Sequence, residues 1–335
     1  MTADDRFMNN LIYTAILAVM ALRLAVIGIS PLGLDVEEAQ YWQWSTTPDL
    51  GYFTKPPMIA WVISVGTFIF GDTAFGVRFM APLIQAVSAI IFMKIGQSVH
   101  SQAAGRIAAI IWLTLPISAL GGQIISTDSP MLLFLLAALL VLTPLARLEI
   151  IDVKAAGLAG IFTGLGMMSK YAAIYLPAGL ILWWLWEGRR HQILSWSHLW
   201  AYIAGICLSL LPNFVWNLNN GFVTARHLSH NANLDEASYS IMGSLEFLMA
   251  QMGVVGPVVF IISIIVLISC RNDRLSRYWI ALFVPAIVVI SVQGFFADAN
   301  ANWAVVSWPP ALMLTAVYCA EHGQRLRQYL LSGIG

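Results

Sequence analysis

The chain has 335 residues, 59% hydrophobic and 10% charged, with 17 Lys and Arg balancing 17 Asp and Glu and a mean hydropathy of +0.78. A soluble domain carries roughly 25% charged residues, so this composition excludes a water-soluble fold, and zero net charge offers no bulk electrostatic argument for a nucleic-acid partner. The three cysteines, Cys207, Cys270 and Cys319, lie far apart inside apolar runs and show neither disulfide nor metal-ligand spacing.

Apolar runs of about twenty residues recur, the length that crosses ~30 Å of hydrocarbon. In chain order, spans are predicted at residues 8–30, 75–97, 104–120, 131–145, 155–168, 172–186, 199–216, 245–269, 278–296 and 303–320. The first is too long for a signal peptide and no small-residue cleavage site follows it, so it reads as a retained anchor. Residues 57–70 are apolar but short and end at Gly71-Asp72, which predicts an interfacial or re-entrant helix. The fold class expected is an all-α integral-membrane bundle of about ten transmembrane helices, forming one domain over residues 1–335. Its first outer loop should be helical and interfacial.

Lysine and arginine set the orientation. With the N-terminus inside, the inner loops hold Arg6, Lys94, Arg106, Arg147, Lys154, Arg189, Arg190, Arg271, Arg274, Arg277, Arg325 and Arg327. The outer side holds Lys55, Arg78, Lys170 and Arg226, and Arg23 is the one charge within the first span. This bias predicts cytoplasmic termini. It also sorts the polar groups onto one outer face: Glu37, Glu38 and Lys55, then Asp128, then Lys170 and Tyr171, then Arg226 and His227, and finally Asn302 and Trp303.

A carboxylate pair on a short helix above the bilayer can supply a general base for an acceptor hydroxyl. Isolated cations at headgroup level suit a lipid-borne phosphate. Together they fit glycosyl transfer from a lipid-phosphate sugar, in which phosphate leaves as a stabilised anion and one base suffices. Each residue also has a plain structural alternative. Glu37 and Glu38 can simply start a helix, Asp128 can be an N-cap, Lys55 can snorkel, Arg226 and His227 can decorate a solvated loop, and the tryptophans can form an interfacial belt. Two rival functions remain: a lipid-phosphate flippase, which calls for charges near helix midpoints, where only Arg23 qualifies, and a protein that binds a polyprenyl-phosphate lipid without transferring its sugar.

The motifs EEAQYWQW, GYFTKPPMIAW and FGDTAFGVRF, followed by ISTDSPMLLF, GLGMMSKYAAIYLP, PNFVWNLNNGFVTARH and NANWAVVSWPP, resemble bacterial GT-C membrane glycosyltransferases of the dolichyl-phosphate-mannose protein mannosyltransferase type. That group includes the lipid A aminoarabinose and galacturonic acid transferases. The resemblance implies a polyprenyl-phosphate sugar donor, an acceptor on lipid A, lipopolysaccharide, another glycan or protein, and an active site on the periplasmic side of the inner membrane. It places the catalytic acids on Glu37, Glu38 and Asp128, and substrate or donor-phosphate contacts on Lys55, Arg78, Lys170, Tyr171, Arg226, His227, Asn302 and Trp303. Glu37 stands where the family usually carries Asp. Some relatives bind a divalent cation through an acid directly before the lysine, a position occupied here by Thr54, so no cofactor is expected beyond that one candidate. The soluble C-terminal region of longer relatives is expected to be absent.

Overall fold

The computed structural model describes residues 2–224, 226 and 239–332, with side chains described through residue 323 apart from those gaps. Among the described residues it is helical throughout. α1 (Ala3–Ile29) starts at a capping box in which Thr2 and Asp5 satisfy each other's backbone N–H groups. α2 (Val36–Ser45) is the expected helix of the first loop, and α3 (Met58–Phe70) is the short apolar helix expected after it. α4 (Ala74–Arg78) runs almost directly into α5 (Met80–Val99).

α6 (Gln102–Thr114) stops at Leu115, and α7 (Pro116–Leu120) restarts at a proline whose missing N–H is harmless in a first turn. α8 (Asp128–Ala146) and α9 (Val153–Ser169) follow. Beyond them lie a 3-10 turn at Tyr171–Ile174, α10 (Tyr175–Trp183), a π-helical turn at Trp184–Gly188 and the short α11 (Arg189–His191). α12 (Trp196–Asn219), α13 (Ile241–Val255), α14 (Pro257–Ser269) and α15 (Arg274–Phe296) lead through a 3-10 segment at Ala301–Ser307 into α16 (Trp308–Ser332).

Among the described residues six helices are long and apolar enough to cross a membrane, or seven if a bent pair counts as one span. They outline a multi-pass membrane protein, but ten uninterrupted spans are not what the described residues form. The expected span at 104–120 breaks at Leu115-Pro116, and that at 172–186 is split among three kinds of helix. The expected span at 245–269 is two helices bent by 112°. Gly256 takes φ +84°, a left-handed conformation that side chains resist, and Pro257 cannot donate back into α13.

α8 occupies the middle of the bundle, with Met131, Leu136, Ala138 and Leu139 at 0% exposure. α1 and α12 instead turn Leu11, Leu22 and Ile29, and Trp200, Leu208 and Leu211, outward. Such a continuous apolar exterior suits hydrocarbon. α9 and α12 pack backbone to backbone: a Cβ on Gly160 would lie 2.1 Å from the Tyr202 carbonyl oxygen, and one on Gly205 2.3 Å from that of Gly157. Small residues permit this approach, and dispersion and hydrogen bonds then hold helices that the bilayer would not otherwise drive together. Thr163 Oγ1 with the Tyr202 hydroxyl (3.0 Å), and Ser209 Oγ donating to Ile161 O (3.1 Å), supply those bonds. The packing fixes the C-terminal ends of α9 and α12 side by side, where the site forms.

Candidate active site

Asp35 starts α2 by accepting from the Glu37 N–H at 3.3 Å. Glu38 returns the favour, its Oε2 accepting from the Asp35 N–H at 3.0 Å. This capping box turns the two adjacent glutamates apart, since consecutive helical residues lie about 100° from each other around the axis. Glu38 is fully buried and Glu37 is exposed.

Glu38 is saturated with donors. Arg78 reaches it through Nη2 at 2.6 Å and through Nε at 3.0 and 3.2 Å, and the Ile125 N–H donates to Oε1 at 3.0 Å. Arg78 also donates to the carbonyls of Leu32 (3.2 Å) and Gly33 (2.8 Å). One buried ion pair thus binds α4, the linker ahead of α2, α2 itself and the segment ahead of α8. Arg78 was expected to touch donor phosphate, but its guanidinium is committed to Glu38 and the two carbonyls. Glu38, expected among the catalytic acids, is enclosed by the same bonds.

Glu37 has a different environment. Its Oε2 accepts from the Tyr41 hydroxyl at 3.1 Å, one helical turn on. Tyr41 is 1% exposed, and burial, then the negative charge of Glu37 and their mutual hydrogen bond, push its hydroxyl pKa far above the ordinary value of 10.0. Tyr41 therefore stays protonated and remains a donor. The charge of Asp128 acts in the same direction and a hydrogen bond from Thr127 opposes it, so Tyr41 stands between Glu37 and the start of α8.

Asp128 is not the cap of α8; Thr127 holds that position without a side-chain capping bond. Both Asp128 oxygens are engaged, Oδ1 by Lys170 Nζ at 2.7 Å and Oδ2 by Asn302 Nδ2 at 2.8 Å. Lys170 sits in extended conformation where α9 ends. The next residue, Tyr171, donates to Asn213 Oδ1 at 2.7 Å, and Asn213 Nδ2 donates to Leu50 O at 2.9 Å. The loop carrying Lys55 is thereby tied to α12. Trp216 Nε1 donates to Asp49 Oδ2 at 2.7 Å and Thr224 Oγ1 to Tyr52 O at 2.8 Å, while Tyr52 stacks on Trp44 of α2 at 4.7 Å between centroids. Asp35 and Asp49 thus cap and anchor.

Lys55 is half-buried, and its ammonium makes no hydrogen bond or ion pair among the described residues. Beside it, Thr54 Oγ1 is buried without a partner. A neutral hydroxyl replaces the metal-binding acid of some relatives, and no group of three His, Cys, Asp or Glu converges among the described residues. These residues do not fit a divalent cation. Trp303 is half-buried in the 3-10 segment, and Arg226 is exposed, its N–H bonded to Phe222 O at 3.0 Å. His227 lies outside the described residues.

Glu37, Glu38, Arg78, Asp128, Lys170 and Asn302 therefore meet at one end of the bundle, with Tyr171 joining them to the Lys55 loop. Sequence reasoning missed Tyr41, Thr127 and Asn213. Tyr41 lies four residues after Glu37, the spacing that makes neighbours on a helix, and Asn213 is a buried amide within an apolar run.

The family description "Dolichyl-phosphate-mannose-protein mannosyltransferase" matches residues 54–216. The lipid A galacturonosyltransferase RgtD of Rhizobium johnstonii is 33% identical over 300 residues, covering 87% of this chain and 62% of that protein. The structure of ArnT from Cupriavidus metallidurans in the apo state superposes with a TM-score of 0.71 at 17% identity, over 95% of this chain and 60% of that one. The same protein bound to undecaprenyl phosphate gives 0.69 at 15% identity, over 97% and 63%. The chain spans about three fifths of the length of these proteins. In sequence the chain is similar to these membrane glycosyltransferases, and in fold it matches the GT-C architecture of ArnT.

Proposed function

We propose that the chain is an inverting glycosyltransferase that moves a sugar from a polyprenyl-phosphate donor to a lipid-anchored glycan such as lipid A. The observation that carries this reading is an exposed carboxylate oriented by a buried hydroxyl, on a helix packed against the loop of a cation that has no partner among the described residues. Glu37 is held by Tyr41, and Lys55 rides on a loop stacked against the same helix. ArnT binds undecaprenyl phosphate and RgtD is named for lipid A, which supports the choice of donor and acceptor class.

In the proposed reaction Glu37 takes the proton of the acceptor hydroxyl as that oxygen bonds to the anomeric carbon. The carbon–oxygen bond to phosphate breaks on the opposite face, and its electron pair leaves with the phosphate, which gives inversion. Lys55 stabilises that leaving anion, with Arg226 and His227 as further contacts. Asp128, fixed by Lys170 and Asn302, orients the acceptor, while Tyr171 and Trp303 shape the sugar site. Glu38 and Arg78 hold α2 in place. The site faces the periplasm of the inner membrane and both termini face the cytoplasm. Asp5–Arg106 (3.1 Å) and Glu187–Arg277 (2.5 Å), pairs of the predicted inner loops, support this assignment of ends.

Purified protein in liposomes, given radiolabelled polyprenyl-phosphate sugars and lipid A, should form a glycolipid of inverted anomeric configuration. Failure to use any polyprenyl-phosphate sugar would overturn the proposal.

A further inference from the structure

Two buried glutamines outside the site described above each bond to the sequence neighbour of one partner in the Asp128–Asn302 pair. Gln85 on α5 is 2% exposed and Gln251 on α13 is 0% exposed. A buried amide in an apolar bundle is costly unless bonded, and each of these two is held by a tryptophan. Trp112 Nε1 donates to Gln85 Oε1 at 3.1 Å, and Trp308 Nε1 donates to Gln251 Oε1 at 2.9 Å. An indole N–H can only donate. The amide oxygen must therefore face the tryptophan, which leaves the amide nitrogen to bond elsewhere.

Gln85 Nε2 donates to Ser129 Oγ at 3.3 Å, and Ser129 Oγ donates to Gly121 O at 3.1 Å. A Cβ on Gly121 would lie 2.8 Å from Gln85 Nε2 and 3.0 Å from Ser129 Oγ, so the amide packs against bare backbone there. Gln251 Nε2 donates to Ala301 O at 3.0 Å and to Phe247 O, one turn back on its own helix, at 3.2 Å. Ser129 follows Asp128, and Ala301 precedes Asn302. The two tryptophan–glutamine pairs thus hold the chain on either side of the 2.8 Å bond from Asn302 Nδ2 to Asp128 Oδ2. Both segments begin without a side-chain cap, α8 at Thr127 and the 3-10 segment at Asn300, so the bonds from α5 and α13 stand in for local fixtures.

We propose that Gln85 and Gln251 are positioning residues for the transfer reaction. Locked by Trp112 and Trp308, they fix Ser129 and Ala301 and so set the Asp128–Asn302 bond that orients the acceptor. This inference rests on the glycosyltransferase reading above and on the part it gives Asp128. A misplacement of about 1 Å can cost on the order of 100-fold in rate, and it would carry the 2.8 Å bond out of hydrogen-bonding range.

Steady-state transfer from a polyprenyl-phosphate sugar to lipid A in liposomes tests this with Gln85→Met and Gln251→Met. Each should lower kcat/KM for the acceptor about tenfold, the effect of one buried hydrogen bond, with donor KM unchanged. Gln251→Met combined with Asn302→Ala should be no worse than Asn302→Ala alone, and Gln85→Met with Asp128→Ala no worse than Asp128→Ala alone, because each brace acts only through that partner. Trp308→Phe keeps an aromatic ring but drops the donor. It should move the same parameter by a smaller factor, and it serves if Gln251→Met does not fold. Thr315→Val removes a buried bond to Ser263 (2.9 Å) elsewhere on α16, and should lower the melting temperature without changing acceptor kcat/KM. Additive losses in either double, a donor KM that rises in step, or a Thr315→Val defect equal to that of Gln251→Met would overturn the inference. So would wild-type kinetics in Asn302→Ala. A wild type that uses no polyprenyl-phosphate sugar overturns the glycosyltransferase reading itself, whereas an active wild type with additive doubles overturns only the braces.

Discussion

Replacing Arg78 with Met removes the guanidinium but keeps much of its aliphatic volume. Glu38 then loses three of its five hydrogen bonds and keeps those from the Asp35 and Ile125 N–H groups. The Leu32 and Gly33 carbonyls lose their donor as well. Stripping one partner from a buried ion pair costs roughly 3–5 kcal/mol, and Glu38→Met should cost a similar amount because it strands Arg78. The double variant strands no charge. It leaves four backbone groups unpaired at about 1 kcal/mol each, so its loss of about 4 kcal/mol should fall below the sum of the singles by 2 kcal/mol or more. Reversible unfolding in mixed detergent micelles measures all three variants. Additive losses would refute the latch. So would an Arg78→Met protein of unchanged stability whose donor KM had risen, because Arg78 would then be a phosphate contact.

Tyr41→Phe removes the donor that orients Glu37 and should lower kcat about tenfold with both KM values unchanged, as steady-state assays would show. Lys55→Met should raise the donor KM by about tenfold or more while acceptor KM and melting temperature hold, because the ammonium has no described protein partner to lose. At the other end, the Arg277 hydrogen bond, helped by His191, holds the Glu187 carboxyl below its ordinary 4.5. A depressed folded pKa adds stability that is fully present above 4.5 and disappears as pH falls through the lower folded value. Glu187→Gln should therefore lower the melting temperature at pH 7, and the gap from wild type should close in acid below 4.5.

Spans of unbroken apolar sequence such as those of α1, α8, α12 and α15 were legible because crossing hydrocarbon requires length and greasiness alone. The breaks were not. Residues 245–269 are as apolar as any span, and hydropathy reports burial without tracing the backbone hydrogen bonds that Gly256-Pro257 interrupts. At the site, the motif residues from five separate segments do converge, and the pairing of Asp128 with Lys170 follows the order in which the motifs occur. The different surroundings of Glu37 and Glu38 were hidden, since the side chains are identical and a single step of about 100° on α2 decides which is buried. The fate of Arg78 was hidden too. Its partner lies 40 residues away in sequence, and only tertiary packing shows that the charge is already answered.

The central claim is that Glu37 is the base. Single-turnover transfer from a polyprenyl-phosphate sugar by Glu37→Gln, measured at saturating donor beside wild type, tests it most directly. The glutamine keeps the size of the side chain and can still accept from Tyr41, so folding and donor binding should match wild type while the transfer step slows about 100-fold or more. A Glu37→Gln protein that transfers at the wild-type rate would contradict the account.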